Sequence, residues 1–84
     1  MNDKEKKKVM ITVDGIPFEV EKDEMTYNEI VSLEYPDSVN HPERTYSVTY
    51  ERGEGNKPQG ILSVGGVVKI KNEMRFYVKL AGES

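Results

Sequence analysis

One short stretch of helical period stands alone among runs of alternating apolar residues, and that arrangement limits what the chain can build. Thr26 and Glu29 form a T-x-x-E capping box, in which the threonine hydroxyl accepts from the backbone three residues on and the glutamate reaches back. Met25 and Ile30 occupy the two positions of a hydrophobic staple across the same start. Ile30, Val31 and Leu33, with Tyr27 or Tyr35 at the margins, supply a buried face. Pro36 stops the helix, because the residue before a proline is pushed out of helical geometry. The spacing predicts a helix of roughly ten residues.

On either side the period is two. Val9, Ile11 and Val13 alternate with Met10 and Thr12, and Ile16, Phe18 and Val20 alternate with Pro17, Glu19 and Glu21. Asp14-Gly15 between them is a strong type I′ hairpin signal, since both central positions need positive φ. Pro17 lacks a ladder donor and belongs on an edge or at a strand start. Lys22-Asp23-Glu24 breaks the alternation. Beyond the helix, residues 37–43 read as a polar loop, and Tyr46, Val48 and Tyr50 define a third strand over about Arg44 to Arg52. Residues 53–60 are rich in turn formers. Ile61-Leu62-Ser63 reads as a short bridge and Gly65-Gly66 as a bend. Val67 to Lys71 reads as a fourth strand with Val68 and Ile70 inward. In the last strand Phe76, Val78 and Leu80 alternate with Arg75, Tyr77 and Lys79.

The order is strand, strand, helix, strand, strand, strand. This is an α+β chain whose economical solution is a mixed sheet curled across one helix, the helix being the crossover that lets a late strand run parallel to the first. That is the β-grasp arrangement. A five-stranded barrel has no evident need of an amphipathic helix at this point. The expected division is a charged flexible segment over residues 1–8, one domain over 9–80, and a tail over 81–84.

Composition removes several functions. The chain has 84 residues, net charge -3 and no cysteine, which excludes disulfides, thiolate nucleophiles and cysteine-based zinc sites. No apolar run approaches the roughly 20 residues of a membrane span, and the charged start does not resemble a secretion signal. A cytoplasmic protein without nucleic-acid or membrane partners is the expectation. Lys4, Lys6, Lys7 and Lys8 read as a solvated terminus.

Catalytic groups are few. His41 is the only histidine and lies beside Asp37 and Ser38 in one loop, where a triad has no rigid elements to assemble it. Gly53-x-Gly55 and Gly65-Gly66 precede no helix that would hold a phosphate. The carboxylates of Glu19, Glu21, Asp23 and Glu24 read as exposed strand ends. No catalysis, metal or cofactor is expected. Tyr27, Tyr35, Tyr46, Tyr50 and Tyr77 are numerous for so small a domain. They fit either strand pairing or a binding surface.

Several stretches in order carry a resemblance: Met25-Thr26-Tyr27-Asn28-Glu29-Ile30-Val31, Tyr46 to Gly53, Gly60-Ile61-Leu62 to Gly65, Val68-Lys69-Ile70-Lys71 and Met74-Arg75-Phe76-Tyr77-Val78. From Val9 onward the chain resembles the bacterial multiubiquitin-type ubiquitin-like proteins. The resemblance implies a ubiquitin-like β-grasp modifier that is activated at its carboxyl end and attached to target proteins. Its implied partners are an E1-like activating enzyme that uses ATP, an E2-like conjugating enzyme and a processing or deconjugating peptidase. Glycine is frequent in the family where Glu73 stands here, so Asn72 is expected to supply the left-handed residue of that turn.

The end differs from the Gly-Gly of eukaryotic ubiquitin and the sulfur carriers, because here Ala81-Gly82 precede Glu83-Ser84. Removal of Glu83-Ser84 would expose Gly82, whose missing side chain suits a narrow channel and an attacked carbonyl. Phe76, Val78 and Leu80 would then form the strand that presents this end. The plain alternative is that Gly82 only ends the strand. A noncovalent β-grasp interaction module is the rival function, and a sulfur carrier is a third.

Overall fold

The Asp14-Gly15 turn has φ of 52° and 84°, as a type I′ turn requires. It joins β1 (Val9–Val13) to β2 (Ile16–Val20) with Val13 opposite Ile16 and Val9 opposite Val20. The computed structural model describes residues 8–21, 23–53 and 59–81. The expected flexible segment lies outside the described residues except for Lys8, as do Gly82, Glu83 and Ser84 of the expected tail.

Along the chain follow β3 (Glu24–Thr26), α1 (Tyr27–Glu34), a 3-10 turn (Pro36–Asn40), β4 (Thr45–Glu51), β5 (Gly60–Leu62), β6 (Val67–Lys69) and β7 (Met74–Ala81). The main sheet has the order β2-β1-β7-β4-β5, while β3 and β6 form a separate two-stranded sheet. Only the β1–β7 pair in the main sheet is parallel. It is the junction that the helical crossover permits. The fold is the mixed-sheet β-grasp read from the element order.

The core lies between α1 and the inner sheet face. Ile11 and Val13 from β1, Ile30 and Val31 from α1, Val48 from β4, and Met74 and Phe76 from β7 are essentially inaccessible to solvent. Helix α1 begins as its cap predicts. The Glu29 backbone N–H donates to Thr26 Oγ1 at 3.1 Å, and the Thr26 N–H donates to Glu29 Oε1 at 2.9 Å. Both staple residues, Met25 and Ile30, are buried. The helix has eight residues and ends at Glu34. Pro36 then opens the 3-10 turn where a loop was expected, since its fixed φ suits a first helical position.

Four further expectations change. Glu24–Thr26 is a strand, with Met25 opposite Val68; three residues beside charged neighbours cannot display an alternation. Ile61-Leu62, read as a bridge, belongs to β5, which pairs with β4 in the main sheet. The fourth strand ends at Lys69 and pairs with β3 rather than joining that sheet, although the Ile70 N–H still donates to the Asp23 carbonyl at 2.8 Å. Glu73, not Asn72, is the left-handed residue, with φ of 70°. Asn72 instead caps β1, its Oδ1 accepting from the Met10 N–H at 2.9 Å.

The Glu73 conformation yields a stability prediction. A left-handed residue with a Cβ costs roughly 1–2 kcal/mol, and glycine returns part of that as lost chain entropy. Glu73→Gly is therefore expected to raise unfolding stability by about 0.5–1 kcal/mol. Urea denaturation of the two proteins measures the difference, and a lower midpoint for the variant counts against the strain.

Candidate functional site: the end of the central strand

Strand β7 is hydrophobic on alternate residues because it lies between two neighbours over a packed helix. Met74, Phe76 and Val78 are buried and Arg75, Tyr77 and Lys79 are exposed. Its two sides are not held over the same length. On one side β4 pairs with it from Glu51 opposite Arg75 to Thr45 opposite Ala81. On the other side β1 pairs only from Ile11 opposite Met74 to Val13 opposite Phe76. The hairpin turn extends that side by one step: the Asp14 N–H donates to the Phe76 carbonyl at 2.8 Å, and the Val78 N–H donates to Asp14 Oδ2 at 3.2 Å. Among the described residues, β7 is held after Val78 by β4 alone.

Leu80 shows the consequence. Its place in the alternation predicts an inward residue, yet it is 41% exposed, because neither β1 nor the hairpin turn reaches that far. Ala81 is half-buried and is the last residue of β7. Of the expected terminus, the structure thus places Phe76 and Val78 in the core, and Leu80 and Ala81 on the one-sided end. Gly82, Glu83 and Ser84 lie outside the described residues.

The sheet face turned away from α1 carries a second feature. Thr49 has Ile61 of β5 opposite it on one side and Tyr77 of β7 on the other, so the three side chains share one row. Ile61 is 75% exposed and Tyr77 is 41% exposed. Tyr77 is held by its hydroxyl, which donates to Glu51 Oε2 at 2.9 Å, and Arg75 Nη1 lies 3.6 Å from the same oxygen. Tyr77 is one of the five tyrosines that fit a binding surface from sequence, whereas Ile61 carries no such signal. A three-residue strand has too few positions to reveal which face each side chain takes.

The remaining tyrosines mostly pack inside. The Tyr27 hydroxyl donates to the Tyr46 carbonyl at 3.0 Å and accepts from the Tyr46 N–H at 2.8 Å. Tyr35 stacks at a tilt on Tyr46 with ring centres 5.0 Å apart, and Tyr50 contacts Phe76 at 5.9 Å.

The loop histidine makes no triad in this arrangement. His41 Nδ1 is 3.3 Å from Glu43 Oε2, and Nε2 is 3.8 Å from Asp37 Oδ2, so two carboxylates bracket the ring. Ser38 meets His41 through its backbone carbonyl. The backbone N–H of Glu43 and then His41 hold the Glu43 carboxyl below the usual range. A cleft of about 290 Å³ beside this loop is lined in part by Val31, Val39, Pro42 and Tyr46. Among the described residues, no three His, Asp or Glu side chains are grouped to hold a metal ion, and no helix is long and apolar enough to cross a membrane.

A five-stranded mixed sheet over one capped helix, with a parallel junction of first and last strands, defines a ubiquitin-like β-grasp domain. The chain matches the family described as Multiubiquitin over residues 9–81. It belongs to that family. No curated protein and no solved structure gave a significant match.

Proposed function

We propose that this domain is a bacterial ubiquitin-like protein modifier, activated at Gly82 by an E1-like enzyme and transferred through an E2-like enzyme to target proteins. The observation that supports it most is the one-sided end of β7, beyond the Asp14–Val78 hydrogen bond. Cleavage after Gly82 by a processing peptidase frees an Ala81-Gly82 carboxylate. That carboxylate attacks the α-phosphate of ATP, giving an acyl adenylate and releasing pyrophosphate. A thiolate on the enzyme displaces AMP, and a target amine later displaces the thiol to leave an amide. In this cytoplasmic reaction the domain supplies the acyl group and the surface that enzymes grip, while the chemistry belongs to its partners.

Tagged protein expressed in its native cells tests the reading. Denaturing gels are expected to show tagged adducts of higher mass that resist reduction, and digestion should leave a Gly82-derived remnant on an amine. Gly82→Pro should abolish the adducts without unfolding the domain. Absence of any covalent adduct would overturn the proposal. The Ile61–Thr49–Tyr77 row favours a second reading, a noncovalent interaction module. That reading predicts partner capture that Ile61→Asp removes and Gly82→Pro leaves intact.

A further inference from the structure

Two carboxyl groups meet at the point where the hairpin turn grips β7. Asp14 uses Oδ2 to accept from the Val78 N–H. Glu34, the last residue of α1, brings its carboxyl within hydrogen-bonding reach of Asp14. Yet Glu34 Oε1 is buried and receives no hydrogen bond. Neither group has a cationic partner among the described residues. Two ionised carboxylates present only acceptors to each other, so the donor missing between them is a proton.

We propose that Glu34 holds a proton that it donates to Asp14, and that this proton latches the end of β7. With the proton on Glu34, its O–H donates to the Asp14 carboxylate while Asp14 keeps the Val78 N–H. Without it, two like charges repel across the contact and drive the hairpin turn away from the end of α1, which weakens its hold on Val78.

The surroundings favour the protonated state. Glu34 stands at the carboxyl end of α1, where helix carbonyls disfavour negative charge. Among the described residues, Tyr35, adjoining α1, and Tyr46, from β4, are the other titratable groups facing the site. The Tyr35 phenol is raised by burial and then by Glu34, Asp14 and Tyr46. The inward residues of β7 here, Phe76 and Val78, are apolar. Burial first, then the hydrogen bond to Asp14 and its charge, raise Glu34 from 4.5 to about 7. Because the folded value lies above the unfolded one, the folded state holds the extra proton. The stabilisation is complete below about pH 4.5 and is lost as pH rises through about 7.

The latch operates whether or not the domain is conjugated. Carbon-detected NMR of the full chain is expected to show the Glu34 side chain titrating near pH 7, with the Val78 amide proton shifting at the same midpoint. Asp14→Asn, which keeps an acceptor for Val78 and suits a left-handed turn residue, should move the Glu34 midpoint at least about one pH unit lower. Relative to Glu34→Gln, the parent's folding equilibrium constant should fall at least about tenfold between pH 5 and 8. A pKa that differs by about one between the folded and unfolded chain is worth tenfold in that constant, and water at the exposed Asp14 keeps the effect below the full difference. A Glu34 midpoint below 5.5, or a Val78 amide that ignores it, would overturn the proposal.

Discussion

Tyr27→Phe is expected to lower unfolding stability by about 2–4 kcal/mol, although it removes a single oxygen. Strand β5 pairs with β4 only from Val48 to Tyr50, so among the described residues the side of β4 at Tyr46 has no neighbouring strand there. The Tyr27 hydroxyl takes that place, donating to the Tyr46 carbonyl and accepting from its N–H. Tyr27 and Tyr46 are 5% and 6% exposed, so water does not substitute easily when the hydroxyl is lost. Two buried backbone groups then lose their partner, at about 1–3 kcal/mol each less some relaxation. For a domain of this size each kcal/mol moves the melting temperature by roughly 4–8 °C, so a fall of about 10 °C or more should be seen calorimetrically.

Tyr46→Phe is the control. Its hydroxyl is buried and without a partner, so the same chemical deletion should be neutral or slightly stabilising. Equal losses from both variants would show that the bridging hydroxyl is worth no more than one without a partner.

The contrast between those tyrosines also shows where reading from sequence stops. The hairpin, the helix start and the alternating faces of β1, β4 and β7 are local: a turn dipeptide, a capping box and a period of two each declare themselves within a few residues. The mixed sheet follows from their order. Strands β3, β5 and β6 have three residues each, too few to show a period. Their pairing is decided by which edges remain open once the longer strands are in place. Glu73 takes the left-handed position because Asn72 is already committed to the Met10 N–H. That contact spans 62 residues of sequence and leaves no local sign. The role of Tyr27 is likewise set by where β5 ends. For the candidate site, Phe76 and Val78 were legible as core, but the exposure of Leu80 depends on the length of β1 and so was not.

Phe76→Ala is expected to bring the domain close to unfolding. Phe76 is fully buried, lies on the central strand opposite Val13 and Tyr50, and accepts the Asp14 N–H through its carbonyl. Truncating such a ring costs about 3–5 kcal/mol in transfer energy and cavity. A chain of this length has in total about 4–12 kcal/mol of stability. Leu80→Ala, four residues further on the same inward register, should cost less than about 1 kcal/mol because its side chain is already substantially in water. Urea titrations of both variants measure the two costs, and similar losses would contradict a clamp that ends at Val78. The pair also separates fold from function. Loss of covalent adducts in Phe76→Ala would report only an unfolded domain. Loss in Leu80→Ala, with the denaturation midpoint unchanged, would instead place the requirement on the end of β7 itself.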